Sequence, residues 1–93
     1  MPNKKRRNCR GLDHSSIFKP TGTPMKELKI TEIEADEFEA MRLCDTEDHD
    51  QSDAGVKMGI SRGTVQRLLN AGRKKLISAL LDANAIHINK TGE

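Results

Sequence analysis

Side chains that can pair with DNA bases lie close together near the middle of this 93-residue chain. Arginine can donate two hydrogen bonds to guanine, and glutamine or asparagine can pair with adenine through two bonds. Glycine has no side chain, so it allows the backbone to approach a ligand closely. The candidates for base contact, called here the base-contact set, are Arg62, Gly63, Gln66, Arg67 and Asn70. We expect this set to enter the major groove of duplex DNA.

A second group of residues could bind the DNA backbone. Lysine and arginine neutralise phosphates, and hydroxyl groups donate to phosphate oxygens, which gives affinity and salt dependence without selecting a sequence. The candidates near the base-contact set are Lys57, Ser61, Thr64, Arg73, Lys74 and Lys75. Three more, Arg6, Arg7 and Arg10, belong to a basic N-terminal arm. This arm could follow phosphates or the minor groove, or it could be a tail that aids solubility.

The elements that must position these residues are two helices joined by a tight turn. Gly59 follows a helical segment, 51–58, and can adopt the left-handed conformation of a sharp helix end. Ser61 is a favourable N-cap for the next helix, and Val65 and Leu68 have the spacing that turns them back onto the first helix. The pattern predicts a helix-turn-helix whose second helix begins at Ser61 and reaches about residue 83. The alternative is an ordinary helical hairpin that binds nothing.

The remaining elements complete a mainly α fold. A helix is predicted over residues 36–44, and Asp50 can cap the helix that follows. Segments 28–33 and 85–88 are β-prone and could pair as a short two-stranded ribbon supported by the helices. Pro and Gly residues divide the chain into an N-terminal arm and loop, 1–24, and a helix-turn-helix domain, 25–93.

Helical spacing predicts which residues pack in the core. One face of the last helix carries Val65, Leu69, Gly72, Leu76 and Leu80. Ile77 and Leu81 lie on the polar side, so we expect a second buried face against the N-terminal loop, the ribbon or a second subunit. Ile17 and Phe18 are the only large apolar residues of the N-terminal loop, and we expect them to fix it to the core.

Charge is segregated along the chain, although the formal net charge is only +2. Residues 1–10 carry five cations and no acid, residues 27–53 carry eleven acids and two cations, and residues 54–81 carry six cations and no acid. This separation indicates one positive surface for a polyanion and an acidic surface that faces away from it.

Several classes of protein are disfavoured by composition. No apolar run approaches the ~18 residues of a membrane span, and the N-terminus lacks the apolar core of a signal peptide, so we expect a cytoplasmic protein without a membrane partner. The chain has neither a glycine-rich phosphate loop nor a serine elbow, so we expect no enzyme and no cofactor. Only 2% of residues are aromatic, which disfavours single-stranded RNA as the ligand because that binding mode relies on stacking.

Cysteine and histidine recur at one spacing, which raises the question of zinc. Cys9 and His14 are five residues apart, as are Cys44 and His49. The four side chains could form a zinc site, but this spacing matches none of the common zinc-finger patterns. We therefore expect reduced thiols and no metal, with Cys44 as a small core residue and His87 at the surface.

The chain resembles uncharacterised protein family zero-two-five-one, also called domain of unknown function one-three-four. The resemblance covers nearly the whole length, through residues 6–10, 18–24, 36–43, 58–67 and 71–75. It implies a helix-turn-helix like that of region four of bacterial sigma factors, in a group of predicted DNA-binding proteins. Three residues depart from the pattern: Gly55 where such motifs usually carry Ala, His49 where an apolar residue precedes the cap, and Gly63 where a polar side chain is common.

These observations lead to an expected function with two alternatives. We expect a duplex-DNA-binding protein, a small transcriptional regulator that reads the major groove with the helix beginning at Ser61. A homodimer reading two half-sites through a contact at Ile77 and Leu81, and a contact with RNA polymerase, are further expectations. The main alternative is a protein-interaction adaptor that docks on the transcription machinery through its acidic 27–53 face. The second alternative is a zinc enzyme or a zinc-sensing regulator, which depends on metal binding by the cysteine and histidine pairs.

Overall fold

The computed structural model describes residues 16–89, which form three helices and three short strands. The helices are α1 (Ala35–Met41), α2 (Gln51–Met58) and α3 (Arg62–Leu81), and the strands are β1 (Ser16–Phe18), β2 (Ile30–Ile33) and β3 (Ala85–Ile88). A π-helical turn, Arg42–Thr46, continues α1, and a 3₁₀ turn, Met25–Glu27, precedes β2. The mainly helical class predicted from the sequence is confirmed.

The sheet has three strands in the order β1-β3-β2, one more than the predicted ribbon. β1 pairs antiparallel with β3, and β2 pairs parallel with β3. A parallel pair needs a long crossover, and here the crossover contains all three helices. The sheet therefore closes one end of the helical core with segments from both ends of the described chain.

Local signals fix the ends of α2 and the start of α3 as predicted. The Asp50 side chain accepts a hydrogen bond from the backbone N–H of Asp53 at 2.8 Å. Gly59 ends α2 in the left-handed conformation, with φ of 73°. The Ser61 hydroxyl accepts from the backbone N–H of Thr64 at 3.2 Å. These caps satisfy amide and carbonyl groups that the helices themselves leave unpaired, so the turn is specified by its own residues.

Two apolar clusters form the core. The first joins all three helices and contains Ala40, Leu43, Ala54, Met58, Val65 and Leu69. The second joins α3 to the sheet and contains Ile33, Ala79, Ile86 and Ile88, with Phe38 and Leu76 packed against it. Complete burial of a large apolar side chain contributes about 1.5–3 kcal/mol. The clusters therefore anchor α3 along most of its length.

The prediction for Leu80 is wrong, because its side chain is 63% exposed. Ala79 packs against the sheet instead. Successive residues of a helix point about 100° apart, so a helix that turns Ala79 onto β3 must turn Leu80 away from it. The expected burial of Ile77 and Leu81 within the chain is also wrong, since both are exposed.

The predicted core role of Ile17 and Phe18 is wrong as well. Both residues belong to β1, and they are 52% and 59% exposed. α3 packs against β2 and β3 and leaves these two side chains of β1 uncovered, although β2 is also an edge strand and its Ile33 is buried. The strand is held in the sheet by main-chain hydrogen bonds to β3. Such bonds do not depend on side-chain type, so the sequence of β1 shows no alternating apolar pattern.

None of the helices formed by residues 16–89 combines the length and the apolar character that crossing a bilayer requires.

Candidate nucleic-acid interface

The base-contact set occupies the exposed side of the first half of α3. Arg62, Gly63, Gln66, Arg67 and Asn70 are all exposed. On the opposite side, Val65 and Leu69 are at most 1% exposed and are packed into the first cluster. The helix is therefore held rigidly from behind while its polar side is open to solvent.

Arg62 is held by a residue from the preceding helix. Its Nη1 donates to Oε1 of Gln51 at 2.9 Å. Gln51 is the first residue of α2 and Arg62 is the first residue of α3, so the bond connects the starts of the two helices. Gln51 has no signal in residue spacing, because its contact with Arg62 depends on the angle between the two helices.

Arg67 is held within α3 by the capping residues. Its Nη2 donates to Oγ1 of Thr64 at 3.2 Å. Thr64 and Ser61 share a hydroxyl hydrogen bond of 2.9 Å. The N-cap Ser61 therefore also helps to orient Arg67, through its hydrogen bond with Thr64. The Ser61–Thr64 bond uses the proton of one of the two hydroxyls, so the other hydroxyl can still donate to a phosphate.

The basic residues predicted to bind phosphate separate into two kinds. Lys57 and Lys74 are exposed, and neither makes an ion pair within residues 16–89. Arg73, in contrast, donates to both carboxylate oxygens of Asp45, at 2.5 and 3.2 Å. This hydrogen bond is the main reason why the pKa of Arg73 is raised above its usual value. Arg73 could contact a phosphate only by exchanging this pair.

Lys75 is bound more deeply than Arg73. Its Nζ lies 2.9 Å from both carboxylate oxygens of Glu37, whose side chain is 8% exposed. The backbone N–H of Glu34 also donates to Glu37, at 3.0 Å. The acidic segment therefore does not face away from α3 throughout, because α1 and the π-helical turn neutralise two of its cations. The acidic and basic residues that are separated along the sequence are therefore only partly separated in the folded structure.

Two glycines show opposite surroundings. A Cβ atom at Gly63 would have nothing within 4 Å, so this position is open to a ligand. A Cβ atom at Gly55 would lie 2.7 Å from the carbonyl oxygen of Ile60. The turn between α2 and α3 thus passes too close to α2 for a side chain. A side chain at position 55 would therefore require the turn to shift.

The four residues considered for zinc are not all described. Cys9 and His14 lie outside the described residues, as do Arg6, Arg7 and Arg10 of the arm. Within residues 16–89, no group of three or more metal-ligating side chains is placed to bind an ion. Burial, and next the charge of Asp45, raise the pKa of the Cys44 thiol, so it is a weak ligand and a weak nucleophile at neutral pH.

His87 is half-buried on the sheet, whereas the sequence predicts a surface residue. Its Nδ1 lies 2.7 Å from Oε1 of Glu32 on the neighbouring strand. The pair faces away from α3, because Ile86 and Ile88 turn to the opposite side of β3. We assign it to the sheet rather than to the interface.

The fold and the site define a small, mainly helical protein with a rigid and partly basic helix exposed to solvent. The chain belongs to the family described as "Protein of unknown function DUF134", whose model matches residues 1–93. Neither this description nor the names of the relatives states an activity, so function must be argued from the site.

The relatives are described as UPF0251 proteins. A protein of Shewanella sediminis is 46% identical over 83 residues, which cover 86% of each chain. A protein of Aeromonas salmonicida is 42% identical over 88 residues, covering 92% of this chain and 85% of the relative. A protein of Moorella thermoacetica is 41% identical over 73 residues, covering 78% of this chain but 49% of the relative. No solved structure matches the chain.

Proposed function

We propose that α2 and α3 form a helix-turn-helix, similar to region four of bacterial sigma factors, which binds the major groove of duplex DNA. We further propose that the protein is a small transcriptional regulator without catalytic activity. One observation carries the proposal: the base-contact set is exposed together on the first half of a helix that the core fixes from behind.

The dimensions and the charge of α3 suit this role. A helix with its side chains is about 10–12 Å across, and the major groove is about 12 Å wide. The start of a helix carries a partial positive charge, and α3 contains no acidic residue from end to end. The exposed half of the helix therefore offers hydrogen-bond donors to base edges and carries no carboxylate of its own.

The contacts of each basic residue suggest different roles. Arg62 and Arg67 are already oriented by neighbouring side chains, which lowers the entropy cost of a specific contact. Lys57 and Lys74 are exposed cations without ion pairs inside residues 16–89, and they suit phosphate contacts. We assign base selection to the arginines and general affinity to the lysines.

Selection of bound duplexes from a random pool tests the proposal, followed by binding titrations of two variants. Arg67→Ala should change the preferred sequence, with a loss of roughly 1–3 kcal/mol on the cognate duplex that is absent on a random duplex. Lys74→Ala is the matched control, and it should weaken binding to both duplexes equally. Equal losses on both duplexes for Arg67→Ala would contradict its place in the base-contact set.

The alternative function, an adaptor that docks on the transcription machinery, is favoured by a different surface. Asp48 and Asp53 are exposed beside the start of α2, and neither carboxylate has an ion-pair partner among residues 16–89. Polymerase surfaces that bind DNA are basic, so they are the complementary kind of partner. A salt series distinguishes the two functions, because duplex affinity should fall linearly with salt on a log–log scale. Absence of duplex binding at low salt, with polymerase still captured, would favour the adaptor.

A further inference from the structure

The hydrogen bond between Gln51 and Arg62 joins two elements that are otherwise linked only by their turn and their apolar contacts. The Nη1 atom of Arg62 donates to Oε1 of Gln51 at 2.9 Å. Arg62 is exposed and Gln51 is half-buried, so the glutamine is the more fixed member of the pair. The bond restrains the direction of a side chain that would otherwise sample many rotamers.

The geometry leaves the rest of the guanidinium available. An arginine has five N–H donors in a planar fork, and Gln51 accepts from only one nitrogen. The edge formed by Nε and Nη2 remains free, and neither atom has a partner within residues 16–89. This edge presents two parallel donors, the arrangement that matches O6 and N7 of guanine.

The part of Gln51 that this arrangement uses is its amide oxygen. Its oxygen accepts from Arg62, so its NH₂ group points its donors elsewhere. The Asp50 carboxylate already caps the start of α2, where Gln51 lies, and the exposed Asp53 lies beside it, which disfavours a phosphate there.

We propose that Gln51 is a positioning residue that holds Arg62 against the guanine of one G·C pair. The inference rests on the proposed DNA-binding function and adds a base and a supporting residue to it. One base pair of the binding site is then recognised by side chains from both helices. The specificity for this base pair then depends on the angle between α2 and α3, because that angle sets the position of Gln51 relative to Arg62.

The test compares single and double variants on duplexes that differ at one base pair. The base pair that is varied is the one at which the Arg62→Ala variant loses the wild-type preference for G·C over A·T. Gln51→Ala should lower that preference about fivefold while leaving affinity for random duplex unchanged. In the Arg62→Ala background, Gln51→Ala should have no further effect on it. Gln51→Glu retains the acceptor and should restore the preference, even if its charge weakens all duplexes alike.

Ser52→Ala is the matched control, since Ser52 is the exposed neighbour of Gln51 and makes no side-chain hydrogen bond with the described residues. It should leave the preference unchanged, and thermal melting should show the same stability for both alanine variants. An unchanged preference in Gln51→Ala, or equal losses at every base pair, overturns the inference while leaving DNA binding intact. Failure of the wild-type protein to bind any duplex overturns the proposed function and the inference with it.

Discussion

Adjacent lysines on α3 have different surroundings, and this contrast separates stability from DNA binding at the scale of single residues. Lys74 is exposed, whereas Lys75 reaches across to the buried carboxylate of Glu37. Sequence alone treats them as equivalent members of one basic run. The difference arises because α1 crosses α3 closely at Gly72, where an added Cβ would lie 2.9 Å from the Met41 methyl group.

We predict that Lys75→Ala lowers the free energy of unfolding by about 1–2 kcal/mol. The substitution leaves Glu37 buried without its cation, a change that costs about 3–5 kcal/mol in a fully buried pair and less here because Lys75 is partly exposed. Lys74→Ala should change stability by less than about 0.5 kcal/mol. Urea unfolding of the two variants measures the difference.

Titrations of the Lys74→Ala and Lys75→Ala variants with duplex DNA at several salt concentrations test whether either lysine contacts a phosphate. Lys74→Ala should reduce the slope of log affinity against log salt by about 0.9, which corresponds to one phosphate contact. Lys75→Ala should leave that slope unchanged. A stable Lys75→Ala protein with a reduced slope would mean that Lys75 leaves Glu37 to bind DNA.

The α2–turn–α3 unit shows what local sequence can specify at the scale of elements. Asp50, Gly59 and Ser61 have the predicted capping roles, because each acts through backbone groups within a few residues. The bounds of α2 were predictable for the same reason. The need for glycine at position 55 could not be predicted from the sequence. It arises because a Cβ atom there would collide with the carbonyl oxygen of Ile60 in the folded turn.

We predict that Gly55→Ala destabilises the protein, although alanine is the better helix former. Helix propensity would favour alanine by about 1 kcal/mol. A Cβ atom 2.7 Å from a backbone oxygen forces the turn to shift, at a cost of about 1–3 kcal/mol, and strains the hydrogen bond from the Ile60 N–H to the Gly55 oxygen. The melting temperature should fall by several degrees.

Gly63→Ala is the control for the helix-propensity term. Its Cβ would have open space, so the substitution should leave stability unchanged or raise it by up to about 1 kcal/mol. A higher melting temperature for Gly55→Ala would show that the turn relaxes at a cost below the ~1 kcal/mol gained in helix propensity.

Contacts between distant segments set the limit of sequence reasoning about the whole molecule. β1 pairs with β3 across almost the entire described chain, and Asp45 meets Arg73 at the surface although they are far apart in sequence. Neither contact has a periodic pattern or a capping signal. The exposure of the base-contact set was predictable from helical spacing, while the supports of Arg62 and Arg67 required the packed arrangement of α2 and α3.

The direction of the exposed apolar residues bears on how many copies bind one site. Ile77, Leu80 and Leu81 form an exposed stripe at the end of α3. Counting about 100° per residue from Val65, Gln66 and Asn70 lie at about 100° and 140°, and Ile77 lies at about 120°. The stripe and the base-contact set therefore share one side of the helix.

A two-fold dimer that packs these stripes together cannot place both copies on one straight duplex. Two-fold contact turns each stripe toward its partner, so residues on the same side of the two helices face in opposite directions. The base-contact sets would then face in opposite directions, whereas half-sites one helical turn apart need them on the same side of the DNA. The homodimer expected from Ile77 and Leu81 does not fit recognition of two half-sites.

We therefore predict that one copy reads one site. Light scattering of the purified complex should give one chain per duplex, and the selected sequences should lack two-fold symmetry. Replacing Ile77 and Leu81 together by serine should leave duplex affinity unchanged, with Val56→Ser as a control because Val56 is as exposed as Leu81, at 81%. Enrichment of symmetric half-sites about 10 base pairs apart, lost in the double variant but kept in the control, would contradict this reading. Such symmetric binding would require α3 to bend, so that the exposed apolar stripe and Gln66 no longer point in the same direction. In a straight helix the stripe and Gln66 lie on one side.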